Sequence, residues 1–118
     1  MKKLFLALLI IGFSAGISFG YETLISATTD AETTDSFTVT KRSPVTIVVN
    51  GLAGVEEIEL QMEYSTGSWT DIYNADDEQI VFSATKNLIC INDAGRFRLV
   101  KPSTAAAVTV VKYSETSH

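Results

Sequence analysis

Along most of the chain apolar and polar residues alternate with a period of two, the pattern of a strand with one face on a core and the other in water. It is cleanest over residues 57–64, where Ile58, Leu60, Met62 and Tyr64 fall on one side and Glu57, Glu59, Gln61 and Glu63 on the other. Residues 44–50 (PVTIVVN) form a β-branched run that stops at Asn50-Gly51, and Gly54 breaks the loop before the acidic strand. Ser65-Thr66-Gly67-Ser68 makes a tight turn into residues 69–73, so the segments on either side are expected to pair as a hairpin. Residues 79–84, 88–91, 96–101 and 106–113 have strand composition, and 22–27 and 36–40 are weaker candidates. Eight or nine short strands at this spacing predict an all-β fold, an antiparallel β-sandwich of immunoglobulin-like or jelly-roll type. The expected core comprises Ile47, Val49, Ile58, Leu60, Met62, Trp69, Ile72, Val81, Ile89, Phe97, Leu99 and Val110.

The N-terminus breaks the pattern. Lys2 and Lys3 precede an apolar run that passes into Ser18-Phe19-Gly20, the order of a secretory signal. Small residues at Ser18 and Gly20 place the cut between Gly20 and Tyr21, and Ser14-Ala15-Gly16 offers a second site. The competing reading is a membrane anchor, since the run approaches the roughly 20 residues of a spanning helix. Glycine and serine in its second half, and no flanking charge, favour cleavage and export to the periplasm, the extracellular space or a virion surface. The chain then divides into residues 1–20, the signal; 21–36, a flexible or weakly structured lead-in rich in Thr, Ser and Asp; and 37–118, the sandwich.

Removing 20 of 118 residues leaves 98, enough for one domain. With seven basic and 14 acidic residues, that domain has a formal charge of −7. Such acidity argues against a partner held through phosphate contacts and against docking on anionic lipid, so neither nucleic acid nor, after cleavage, a membrane is expected. Cys90 is the only cysteine, which excludes an internal disulfide. In the run Leu88-Ile89-Cys90-Ile91 a buried thiol is expected, with an intermolecular disulfide as the alternative.

Candidate chemistry is sparse. His118 is the only histidine and stands last, so no Ser/His/Asp relay and no paired-histidine metal site is expected. The seven glycines fit no phosphate-loop spacing, and no cofactor is expected. Residues 74–78 (NADDE) cluster oxygen ligands around Asp76 and Asp77, without the spacing of a calcium loop. A solvated turn is the simpler reading, and no catalytic or metal-binding residue is assigned. Glu59, Glu63, Asp71 and Asp77 are the carboxylates that an enzymatic reading would have to use.

Three features carry candidate binding. Trp69 is expected to cover one end of the core, or to act as a stacking platform for a carbohydrate. The acidic row Glu57, Glu59 and Glu63 either pairs with Arg96 and Arg98 on a neighbouring strand or stands free as a docking stripe. Asp76 and Asp77 belong to a loop near Gly67 and Trp69 that a binding module would use.

The order EIELQMEYSTGSWTDI, a short loop and strand, then NDAGRFRLVKPSTAAAVTV resembles the small β-sandwich proteins of tailed-bacteriophage structural modules. The likeness covers residues 45–111 and rests on Gly67 and Trp69, then Gly95, Arg96, Phe97 and Arg98, then the Thr/Ala/Val strand at 104–111. Immunoglobulin and fibronectin-type domains show a similar Ser-x-Gly-x-Trp turn. The resemblance implies a capsid-decorating or other virion-associated role with interfaces in place of an active site. The expected function is therefore a non-enzymatic structural or interaction protein that binds a protein partner or its own copies; the alternative is an exported monomeric binding module or periplasmic inhibitor.

Overall fold

The computed structural model describes residues 17–117, and the expected signal up to Gly16 lies outside them. Among the described residues there are ten strands and no helix: β1 (Ile17–Thr28), β2 (Glu32–Thr33), β3 (Phe37–Val39), β4 (Val45–Asn50), β5 (Ile58–Ser65), β6 (Ser68–Asp71), β7 (Val81–Phe82), β8 (Leu88–Ile91), β9 (Gly95–Lys101) and β10 (Val108–Ser117). They form two antiparallel sheets. The first has the order β1-β10-β4-β8; the second has β2-β9-β5-β6, with β3 also on β9 and β7 also on β5. Apart from the β5–β6 hairpin, sheet neighbours are distant in sequence, and β1 pairs with β10 from Ile17↔Ser117 to Thr28↔Val108.

Alternation decides what each strand buries. Val45, Ile47 and Val49 of β4 and Val108 and Val110 of β10 face inward from the first sheet. Ile58 and Leu60 of β5 and Phe97 and Leu99 of β9 face them from the second, and one continuous core joins both sets with Ile25, Phe37, Val39, Phe82 and Ile91. Two sheets with a shared interior are the arrangement of a β-sandwich. At one end of this core Lys112 lies 5.5 Å over the Phe37 ring and pairs with Glu22 at 3.3 Å.

Several sequence expectations need correction. The stretch 21–36 supplies most of a long strand of the first sheet and all of β2, because Ile25 gives β1 a buried anchor and Thr34 accepts the Leu99 N–H. The expected cut after Gly20 falls within β1, which begins at Ile17, the residue that follows the second site. Met62, Ile72 and Ile89 pack only at the margin of the core. Val81 faces outward opposite Glu59, and its neighbour Phe82 takes the inward position opposite Ile58. The register of that short pairing sets the parity, and a one-residue shift exchanges the faces. Tyr64 is 66% exposed, just where a register irregularity interrupts the β5–β6 ladder.

Gly51 ends β4 at φ 112°, and a Cβ there would meet the Ala107 carbonyl oxygen at 2.3 Å, so the turn against the start of β10 requires glycine. Nearby, Glu56 ties two loops together: its carboxylate accepts the Ala105 N–H at 2.8 Å and the Ala53 N–H at 3.0 Å. These bonds, with the Lys101 charge as a smaller contribution, hold its carboxyl below the ordinary value of 4.5. A depressed folded pKa contributes stability that is complete above the unfolded value and is lost as pH falls through the folded one. Glu56→Gln is expected to flatten the acid limb of the stability curve below about pH 4.5, read by thermal unfolding at several pH values.

Candidate interaction surface

The sequence-predicted binding residues divide between two places. Glu59, Glu63 and Trp69 meet on the outer face of the second sheet, and Glu57 lies just before β5. β9 is the neighbour of β5, with Gln61 opposite Arg98. Of the acidic row, Glu63 joins a cross-strand pair with Arg96, whereas Glu59 stands opposite Val100 and Val81 and Glu57 precedes the strand. Arg96 Nη1 donates to Glu63 Oε1 at 3.0 Å and its other Nη to the Ser36 hydroxyl; Arg98 Nε donates to Gln61 Oε1 at 2.8 Å, and Gln61 donates to Asp71 at 3.1 Å. Exposed pairs of this kind contribute only about 0.2–1 kcal/mol each and act mainly on register.

Trp69 is not part of the core. It stands opposite Glu63 on the outer side, and the Arg98 guanidinium lies 4.5 Å over its ring. One ring face is thus occupied by a cation, which leaves the other for any stacking partner.

Asp76 and Asp77 sit in a separate turn that closes on itself. Asn74 Oδ1 accepts the Asp76 and Glu78 N–H groups at 2.8 and 3.0 Å, and Asp77 takes a positive φ of 63°. Among the described residues no three His, Cys, Asp or Glu side chains are grouped to hold a metal ion.

The outer face of the first sheet differs in kind. Where all four strands run side by side, two cross-strand rows cover it: Tyr21, Tyr113, Thr46 and Cys90, then Thr23, Val111, Val48 and Leu88. No position in either row carries a charge. Tyr21 and Tyr113 stack at 6.0 Å between ring centroids, and Tyr21, Leu88 and Tyr113 are 63%, 56% and 44% exposed. Cys90 belongs to this face, so its thiol is exposed and not buried as its apolar neighbours suggested. Parity is the reason: Ile89 and Ile91 take the inward positions of β8. An uncharged surface with exposed aromatic and aliphatic side chains is the kind that interaction sites present.

Sequence reasoning did not identify this face, although a signal was present. The outward positions of β5 and β9 include Glu59, Gln61, Glu63, Arg96 and Arg98 beside the single aliphatic Val100, whereas those of β4, β8 and residues 108–113 of β10 are Thr46, Val48, Asn50, Leu88, Cys90, Thr109, Val111 and Tyr113. Beside β8 the two sheets also part to leave a groove of about 250 Å³, lined by Leu60, Met62, Ile72, Ile80, Ile89 and Ile91 among others.

No family model matches the chain, and no curated protein matches it in sequence. Among solved structures, the SPBc2 prophage-derived protein YomS is similar with a TM-score of 0.63 and 17% identity, covering 85% of this chain and 95% of that one. This is a likeness of fold, and it is shared with a prophage protein. The epimerase dTDP-6-deoxy-D-glucose-3,5-epimerase RmlC of Legionella pneumophila Philadelphia 1 aligns over 100% of this chain and 56% of its own, at 14% identity and a TM-score of 0.41, too low to carry an argument.

Proposed function

We propose that this chain is a non-enzymatic structural subunit that assembles with its own copies through the outer face of the first sheet, as part of a virion or cell-surface assembly reached by export. The two uncharged rows of that face carry the reading. In a chain of net charge −5 they are the place where two copies meet with no like charges opposed, while aromatic and aliphatic side chains leave water. The strand orders β1-β10-β4-β8 and β2-β9-β5-β6 fit a jelly roll, an architecture used in capsid and lectin domains and in cupins, and are compatible with this reading. The fold shared with a prophage-derived protein supports the same direction.

Val111 lies in the middle of the face, between Thr23 and Val48. Val111→Lys is expected to lower the solution mass measured by size exclusion with light scattering, because each contact would then bury an unpaired ammonium. The melting temperature should change by only a few degrees, since the position is on the outer side of the sheet. An unchanged mass would remove the face as the contact surface.

A further inference from the structure

The four edges of the two sheets are not equally protected. β1 carries Glu22 and two register shifts, with Ala27 at φ 26°. β2 and β7 are two residues long, β3 is three, and β6 ends in Asp71. Short length, charge and bulges are the usual guards of an edge. β8, with the sequence Leu-Ile-Cys-Ile, has no charge, no proline and no bulge.

Its hydrogen-bonding groups are available in alternation. Asn87 O accepts the Val49 N–H at 2.9 Å, so Asn87, Ile89 and Ile91 aim their backbone groups at β4. Leu88 and Cys90 then present theirs to the free edge. Lys86 stands just before the strand and Asp93 just after it, both exposed. In an antiparallel copy centred on Cys90, Lys86 falls opposite Ala94 and so comes to the same end of the ladder as the other copy's Asp93, one residue out of register, while a parallel copy would bring like charges together.

We infer that β8 pairs antiparallel with β8 of a second copy about a two-fold axis at Cys90, joining the first sheets of two subunits into one eight-stranded sheet. Faces are preserved only if residues of equal parity stand opposite, and centring on Cys90 places Ile89 against Ile91 of the other copy on the inner side, at the mouth of the apolar groove. Cys90 faces its own counterpart at about 5.5 Å between Cα atoms, within the span of a disulfide. The edge contact rests on the self-assembly reading above and adds a second, separate contact to it. Two different two-fold contacts build a tetramer or a larger assembly.

The Val111→Lys variant isolates the edge, because it removes the face contact alone. It is expected to remain a dimer by light scattering and to give a covalent dimer when diamide oxidises the two Cys90 thiols. Adding Lys86→Glu should weaken that dimer roughly tenfold by setting like charges together at both ends, and adding Asp93→Lys as well should restore it. Both are exposed loop positions, so the swap leaves folding intact. A Val111→Lys protein that is monomeric throughout overturns the edge contact and leaves the face reading standing. A dimer indifferent to the charge swap, or one that forms no Cys90 disulfide, overturns this register. If Val111→Lys and the wild type have the same mass, the face reading falls instead.

Discussion

Phe82→Ala is expected to cost about 3–5 kcal/mol of folding free energy, the range for deleting a fully buried aromatic ring. Phe82 is 0% exposed, the bulkiest of the fully buried side chains, and it reaches the core from a strand of only two residues opposite Ile58. Since small domains retain only about 5–15 kcal/mol in all, the variant should lie near the limit of folding. Denaturant titration checks it, with a lower midpoint and an unchanged slope. Val81→Ala, one residue away on the outer side, should cost about 1 kcal/mol or less. A larger cost at Val81 than at Phe82 would mean that the parity of β7 is reversed.

Lys101→Ala should lose about 3 kcal/mol, although the residue is a lysine at the end of a strand. Its side chain is 1% exposed, and its ammonium donates to the Asp30 carbonyl at 2.7 Å and the Pro102 carbonyl at 3.0 Å. It thereby fastens the β1–β2 loop to the end of β9. Removing it leaves two acceptors without donors, at about 1–3 kcal/mol each, and opens the space of three methylenes and the ammonium; relief from burying a charge offsets part of this. Lys101→Met refills the space and restores no bond, so its stability should fall between wild type and the alanine variant. A methionine variant as stable as wild type would show that the two bonds only balance the cost of burying the charge.

Some of this was readable from residue order. The β5–β6 hairpin follows from alternation on both sides of Gly67, and residues 88–91 coincide with β8. Lys101 was counted simply as the end of a strand, because burial of an ammonium depends on carbonyls that a loop some 70 residues earlier in the chain brings to it. Trp69 was expected in the core because large aromatics usually are, yet the β5–β6 register sets it opposite Glu63. Cys90 was expected buried because its neighbours are apolar, and the two-residue period of β8 turned it outward.

Residue order by itself determined where most strands lie, where the chain must turn, as at Gly51 and Gly67, and that one face of each long strand is apolar. Those properties depend on a local period and on backbone geometry, which a few consecutive residues carry. Tertiary structure alone decided which strands are neighbours: β1 beside β10, β4 between β10 and β8, and β9 beside β5. The choice is made by hydrogen bonding and packing between segments far apart in the chain, and it sets the fate of the outward faces. On the second sheet it brought Arg96 to Glu63 and Arg98 to Gln61 and Trp69; on the first it gathered Tyr, Val, Thr, Leu and Cys into two uncharged cross-strand rows.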